Sequence, residues 1–346
     1  MPDKKKLAIV ILNWNGQHFL KEFLPGIIHH SKTEARIIIA DNASTDDSLK
    51  FLEQFSNDIE VIKLDSNYGF TGGYNRALKL VDAEYYVLLN SDVEVTEGWI
   101  TPILKFLESN PNVAACQPRV RSYKDPHLLE HAGGAGGFID FLGYPFCRGR
   151  IYNTLEKDNE QYNDVRDVFW ATGACMFIRS KSFHTIGGLD ESFFAHMEEI
   201  DLCWRLQQDE QRICVVPESI VYHVGGGTLP KSNPRKTYYN FRNNLMMMHK
   251  NLPASKLYFV ILLRLLLDGI AGIKFLFDGD FHDMKAVFWA HLSFYKSLPK
   301  RIKIRKEQQA RKKTVHIKGI YNRSIVADYY LLKKKYFSQL NTNSFT

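Results

Sequence analysis

The sequence predicts an α/β fold: a mostly parallel sheet flanked by helices, continued by a helical C-terminal extension. Two observations predict it. From Leu7 to Leu107, short apolar runs alternate with segments whose apolar residues recur every three and four positions, with brief connections. That is the pattern of right-handed βαβ units. Tyr85-Tyr86-Val87-Leu88-Leu89 is an unbroken apolar run that stops at Asn90-Ser91-Asp92. A strand buried on both faces reads this way where it reaches the ligand-binding edge of an open sheet.

The elements follow in order. Residues 7–12 form the first strand. Residues 17–29 carry Phe19, Leu20, Phe23, Leu24, Ile27 and Ile28 at helical spacing. Residues 36–40 are the second strand, and Ser44 with Asp47 reads as a capping box opening a helix through Phe55. Residues 59–64 are a third strand, 72–81 a helix, 85–90 the fourth strand and 99–107 the helix after it. Beyond Val120 the regularity fails. Residues 122–165 mix Pro, Gly and charge, include the run Gly133-Gly134-Ala135-Gly136-Gly137, and read as a long loop or small subdomain near the site. Residues 174–178 return as a strand, 198–208 are a short helix, 212–216 and 220–223 short strands, and Gly225-Gly226-Gly227 a mobile loop. From Arg235 the chain reads as helical to its end. The division expected is a domain of residues 1–250 and a helical, basic region of residues 251–346.

An apolar content of 45% and a charged content of 24% fit a globular chain rather than a disordered one. The five cysteines form no CxxC pair and several sit in apolar runs, which points to buried thiols in a reducing compartment. Lys4-Lys5-Lys6 precedes only six apolar residues, too few for a secretory signal. A cytoplasmic protein is expected. From Pro299 onward there are 13 Lys and Arg against Glu307 and Asp328, so the net charge of +7 resides in the tail and the first 298 residues carry −4. The tail shows no nucleic-acid-binding motif, so nucleic acid is not an expected partner.

Five stretches carry chemistry. Asp92 closes the fourth strand with a hard oxygen ligand suited to Mg²⁺ or Mn²⁺; an ordinary Asn-Ser-Asp turn is the plainer reading. Asp41, opening Asp41-Asn42-Ala43-Ser44-Thr45-Asp46, either accepts hydrogen bonds from a base or ribose or serves helix capping. In Asn67-Tyr68-Gly69-Phe70-Thr71-Gly72-Gly73-Tyr74-Asn75-Arg76 the glycines allow close backbone approach to a ligand. The spacing is not GxGxxG. Arg76 either reaches a phosphate or is solvated. In Gly187–Arg205 the acids Glu198 and Asp201 share a helix face with Arg205, and Glu199 points about a quarter turn away. His223, beside the triple glycine, either joins Asp92 in a metal site or is structural.

In order and spacing these stretches resemble glycosyltransferase family 2, the GT-A fold with its Rossmann-like nucleotide-binding sheet, and most of all its rhamnosyltransferase-type bacterial branch. Ile9-Val10-Ile11-Leu12-Asn13-Trp14-Asn15-Gly16 belongs to the match, which covers about residues 7–250. The resemblance implies a divalent metal, Mg²⁺ or Mn²⁺, and inverting transfer from a nucleotide-sugar to a saccharide or lipid-linked saccharide in polysaccharide synthesis. It places Asp41 with Asn13 and Asn15 on the nucleoside, Asn67 and Gly69 beside the nucleotide with Asn75 and Arg76 following, Asn90 and Asp92 in the DxD element, and Glu199 at the catalytic base. His223 falls where some members add a metal ligand. Phe169-Trp170-Ala171-Thr172-Gly173-Ala174 resembles the segment lining the sugar pocket, with Trp170 a candidate contact. Two departures are notable. Asn90 replaces the first DxD acid, and Glu replaces Asp at the base, which makes Glu198 a competitor and keeps Asp201 a candidate.

Rival readings are a sugar nucleotidyltransferase and a nucleotide-sugar-binding protein that has lost catalysis. The first wants a cationic Gly-rich loop after the first strand, where this chain has Asn13-Trp14-Asn15-Gly16; the second rests on Asn90. Residues 257–277 are the most apolar stretch, interrupted by Arg264, Asp268 and Lys274. Central charges cost about 2.5–3.5 kcal/mol each on insertion, so the segment is not expected to span a bilayer. It either packs on the catalytic domain or lies in the interface of an anionic membrane, for which Phe288, Trp289 and the following basic run argue. The second alternative puts the protein at the inner face of the plasma membrane.

Overall fold

The computed structural model describes residues 5–130, 133–225, 233–313 and 316–346. The chain opens with β1 (Leu7–Asn13), α1 (Gln17–Ser31), β2 (Ala35–Asp41), α2 (Ser48–Leu52), β3 (Glu60–Lys63), α3 (Gly69–Leu78), β4 (Tyr85–Asn90), β5 (Val93–Val95), α4 (Ile100–Ser109) and β6 (Val113–Ser122). Then come the short strands β7 (Gly137–Asp140), β8 (Pro145–Cys147), β9 (Arg150–Ile151), β10 (Thr154–Leu155) and β11 (Arg166–Asp167). β12 (Cys175–Arg179), α5 (Ser180–Thr185), α6 (Glu198–Gln208) and β13 (Arg212–His223) complete the sheet region. The helices α7 (Pro234–Asn251), α8 (Ala254–Phe277) and α9 (Phe281–Arg311) follow, and β14 (Ile320–Tyr321) lies in the final segment.

The main sheet has the order β11-β13-β6-β12-β4-β1-β2-β3, with β5 paired to β13. β3, β2, β1 and β4 run parallel, while β12 enters antiparallel between β4 and β6. Both faces are covered, so β1 buries Leu7 to Ile11 and β4 buries Tyr85 to Leu89. Leu7, Ile9 and Ile11 pack beneath α1 and α4; Ala8 and Val10 face α3 and the α6–α7 side.

Three expectations change, and residues 122–165 take the small-subdomain alternative. Ser44 and Asp47 form no capping box: α2 begins at Ser48 without a side-chain cap and ends at Leu52. The two strands read in 212–223 are one strand, broken in register between Val216 and Ile220. Residues 122–165 build a small second sheet, β10-β9-β8-β7-β14. Its last strand comes from the C-terminal segment, whose described residues beyond Arg311 hold only short π and 3-10 turns in place of the expected long helices, and which supplies Phe337 and Phe345 against Phe138 and Phe146. Aromatic residues spaced through a basic tail carry no periodicity, and only the partner sheet gives them a surface to bury against. Gly226 and Gly227 of the triple glycine lie outside the described residues.

Candidate active site

The parallel register sets Asn13 opposite Asp41, and Leu12 opposite Asn90, along one carboxyl edge. Asn13 Nδ2 donates to Asp41 Oδ1 and to Ser44 Oγ, both at 3.1 Å. Ser44 N donates to Asp41 Oδ2 at 3.0 Å. Asn15, at φ 51°, donates its N–H to Ser44 Oγ at 3.0 Å and accepts from Thr45 N at 2.7 Å. Ser44 is thus the pin of this loop, and Asn15 a shaper of it. Asn13 Oδ1 is buried without a partner, and an unmade hydrogen bond of this kind costs about 1–3 kcal/mol unless a ligand supplies a donor. Trp14, half exposed, stands at the same edge.

Asn67 Oδ1 accepts from Gly69 N at 2.9 Å and from Asn42 Nδ2 at 3.0 Å. Gly69 has φ +68°, and a Cβ there would sit 2.7 Å from the Phe194 ring, so only glycine fits. Two predicted contacts are otherwise engaged. Asn75 latches the turn before α6 by donating to Leu189 O at 2.8 Å and accepting from Leu189 N at 3.0 Å. Arg76 lies 3.6 Å over the Tyr68 ring and pairs with Glu191 at 3.1 Å rather than pointing free to a phosphate.

Asp92 is buried after β4, and β13 brings His223 beside it, with Nε2 3.3 Å from Asp92 Oδ1. On the other side, His223 Nδ1 is 3.2 Å from Glu130 Oε2. Burial opposes charge on the imidazole, but the hydrogen bonds to Asp92 and then Glu130 push it up to about 10. Glu130 orients the ring, and with Nε2 deprotonated the imidazole and Asp92 could together hold a divalent cation, whose own charge would favour loss of that proton. Among the described residues no three His, Cys, Asp or Glu side chains converge on a metal position. The described residues would therefore offer two ligands, with phosphate oxygens and water making up the remainder, as hard cations at phosphate sites are usually held. Asn90 N donates to Ala174 O at 2.9 Å, tying this edge to the segment of Gly173.

A Cβ built on Gly173 would lie 3.6 Å from Glu199 Cβ and 3.7 Å from the Phe70 ring, which puts Glu199 at the junction of the start of α3 and the β4 edge. Oε2 of Glu198 and Oε2 of Glu199 are both buried without a hydrogen-bond partner. Burial pushes the Glu199 carboxyl up to about 7. Burial, and then the charge of Glu199, raise Glu198 well above the carboxylate range, so it stays neutral where Glu199 ionises. Asp201 is a correction to the sequence reading. It is fully buried, pairing with Arg205 at 2.8 Å and Lys250 at 2.9 Å and accepting from Asn251 at 2.8 Å. Burial is outweighed by these cations and its carboxyl is lowered. A carboxylate so occupied has no place for an acceptor hydroxyl.

The acids enter α6 from a contorted loop: Phe194, His196 and Met197 all have φ between 67° and 71°. Non-glycine residues in this region cost of order 1–3 kcal/mol each and persist only where the surroundings over-determine them. Here α7 does so. Asn243 Nδ2 lies 3.0, 2.8 and 2.8 Å from the carbonyls of Phe193, Ala195 and His196. Arg242 donates to Ser192 O and Phe193 O at 3.3 and 3.1 Å. Trp170 is the second correction. It is buried under Gly137, its Nε1 donating to Phe138 O at 2.9 Å, so it bolts the small sheet to the main one instead of lining a pocket.

Sequence reasoning missed Glu130, Asn42, Arg242 and Asn243. Glu130 is a single acid in an irregular stretch and gave no signal. Arg242-Asn243-Asn244 did: two amides that α7 buries beside Leu245 and Met246 must bond to something.

The model of the family described as Glycosyl transferase family 2 matches residues 8–187. The N-acetylglucosaminyl-diphospho-decaprenol L-rhamnosyltransferase of Mycobacterium tuberculosis is 25% identical over 237 residues, 63% of this chain and 75% of that protein. Among solved structures, S. aureus TarS 1-349 in complex with UDP-GlcNAc superposes with TM-score 0.55 at 15% identity, covering 88% of both chains. GalNAc-T7 with UDP, GalNAc and Mn2+ gives 0.54 at 14% identity, over 72% of this chain and 48% of that one, so the chain spans about half of its length. The fold is that of the GT-A glycosyltransferases.

Proposed function

The chain belongs to glycosyl transferase family 2, and on that premise we propose an inverting, metal-dependent transfer of a sugar from a dTDP- or UDP-sugar to a hydroxyl of a saccharide or lipid-linked saccharide in cell-surface polysaccharide synthesis. That it is a glycosyltransferase follows from the family; the inversion, the metal and the acceptor are our reading. The observation that carries the reading is the pair Glu198–Glu199, each with its Oε2 buried and unpartnered, with Glu199 set against Gly173 beside the sheet edge that carries Asn13, Asp41 and Asp92. A lipid-linked acceptor is favoured by the similarity to a protein named for a decaprenol-linked substrate.

In this reading Asp41 and Asn13 hold the nucleoside, the second lone pairs of Asp41 and the orphaned Asn13 Oδ1 accepting from base or ribose donors. Asn67 and Gly69 let the backbone approach the nucleotide. Asp92 and His223 are the residues that would hold a divalent cation, Mg²⁺ or Mn²⁺, which when bound supplies Lewis-acid stabilisation of the leaving diphosphate. Glu199 accepts the proton of the acceptor hydroxyl, for which a carboxyl near neutrality is well matched. Glu198, kept neutral, donates a hydrogen bond rather than accepting the proton. Residues 1–250 would form the glycosyltransferase domain that holds the donor, with residues 251–346 a basic C-terminal region packed on it. The five cysteines are free and buried, which suits action in the reducing cytoplasm.

The test is a panel of nucleotide-sugars scored by thermal shift and by slow donor hydrolysis, with Mn²⁺ and with EDTA. One nucleotide-sugar should stabilise the protein and be hydrolysed in the presence of Mn²⁺. Equal stabilisation in EDTA would remove the metal from the reading.

A further inference from the structure

The two charges that interrupt the apolar sequence of α8 are turned inward. Arg264 and Asp268 are 2% and 0% exposed. Arg264 Nε donates to Asp268 Oδ1 at 3.2 Å and Nη1 to Leu142 O at 3.1 Å, a further donation goes to Asn244 Oδ1, and the guanidinium lies 4.0 Å over the Tyr144 ring. Asp268 also accepts from Tyr144 at 3.1 Å and sits 3.1 Å from His291 Nε2 of α9. The polar groups in the middle of α8 are thus spent on the small sheet, α7 and α9, and what remains outside between Ser255-Lys256 and Lys274 is apolar.

That outer face is long. Tyr258 and Phe277, near the two ends of α8, are 84% and 86% exposed, and Phe259, Leu262, Leu266, Ile270 and Ile273 between them are each more than half exposed. On α9, Phe288, Trp289 and Leu292 are exposed beside them in sequence order. A soluble monomer rarely leaves so many large apolar side chains uncovered on one element. Among the described residues no helix is long and apolar enough to cross a membrane.

The charges say what covers this face. Lys285, Trp289, Leu292, Lys296, Lys300 and Lys303 are exposed and recur every three or four residues, so apolar and basic side chains share one stripe of α9. Across α8 and α9 eight exposed Lys and Arg stand against three exposed acids, Asp278 and Asp280 at the turn and Glu307 near the end. Aliphatic residues in the middle, Tyr and Trp among them and lysines beside them make up the pattern of a helix lying in the headgroup region of an anionic leaflet. We propose that the outer face of the α8–α9 hairpin docks on an anionic lipid bilayer, the apolar side chains of α8 entering the headgroup–acyl boundary and the lysines of α9 meeting lipid phosphates.

The docked face is coupled to the catalytic region through α7. Asn244, which accepts from Arg264, neighbours Asn243, which holds the Phe194–Met197 loop. Docking would therefore fix the orientation of the active-site edge relative to the bilayer.

The experiment uses the full chain and vesicles of phosphatidylcholine alone or mixed with phosphatidylglycerol, scored by flotation. The protein should float with the anionic vesicles at low salt, less in high salt, and weakly or not at all with phosphatidylcholine. Leu262→Gln/Leu266→Gln/Ile270→Gln alters only side chains already in solvent; it should leave circular dichroism unchanged and weaken binding at least about 100-fold. Lys296→Glu/Lys300→Glu/Lys303→Glu should weaken it about fivefold or more per position. Absence of flotation with anionic vesicles at low salt overturns the proposal, as does binding that neither variant weakens. Sedimentation velocity covers the rival occupant: a dimer that the Gln variant dissolves, in a protein that binds no vesicles, would assign the face to a second copy.

Discussion

Replacing Glu199 by Gln should make the protein slower and more stable, with both changes sharing one pH dependence. The carboxylate oxygen Oε2 is buried without a donor, and burial moves the group from its ordinary 4.5 to about 7. An acid whose folded-state pKa lies above its unfolded one takes up a proton on folding. It costs no stability below about pH 4.5, and stability falls as pH rises through about 7. At 1.36 kcal/mol for each pH unit of that interval, the ionised side chain costs roughly 3 kcal/mol at about pH 8. Gln keeps the shape and cannot ionise. The variant should recover about 1–3 kcal/mol at about pH 8 and less than about 1 kcal/mol at about pH 5. For a chain of this length that is a rise in Tm of about 2–4 °C. The amide cannot take the acceptor proton, so kcat should fall about 10²–10⁴-fold while donor KM holds. In the parent, kcat should rise with pH and level off above a midpoint of about 7; the residual rate of the variant should be flat. Initial rates and calorimetric scans across that range measure both. Near-parental kcat in Glu199→Gln, or an equal stability change at both pH values, would refute the argument. Loss of rate in Glu198→Gln alone would transfer the role to Glu198.

Three further outcomes are expected. Asp92→Asn should abolish the Mn²⁺-dependent part of UDP or dTDP binding in calorimetric titration, whereas Asn90→Ala should weaken it less, because Asp92 holds the only charge of that pair. Asp201→Asn should cost about 3–5 kcal/mol in urea unfolding by leaving Lys250 and Arg205 short of a buried counter-charge. Because the Asp201 carboxyl is lowered, its contribution is present above the ordinary 3.8 and lost as pH falls below it, so the variant should approach the parent in acid. Asn243→Asp keeps the size but removes the donor to three carbonyls; kcat should fall about 100-fold from misplacement of the acids, with Asn243→Gln partly restoring it. Unchanged kcat in Asn243→Asp would leave the loop indifferent to α7.

The sequence by itself determined the parallel half of the sheet and the identity of its carboxyl edge. Residues 7–12 and 85–89 are apolar throughout, which burial on both faces satisfies, and the first polar residue after each run, Asn13 and Asn90, has nowhere to lie but the edge. It could not separate Glu199 from Asp201, since two acids two residues apart on one helix carry the same signal. Their environments come from elsewhere: Lys250 and Asn251, arriving on α7, neutralise Asp201, while no donor reaches Glu199 Oε2. Trp170 reads as a pocket residue until the small sheet places Gly137 over it. Arg264 and Asp268 read as flaws in an apolar helix until Tyr144, Asn244 and His291 receive them. In each case the deciding partner lies twenty or more residues away. Local periodicity records which side of an element is buried, but desolvation and charge pairing depend on what packs against that side, and only tertiary structure supplies it.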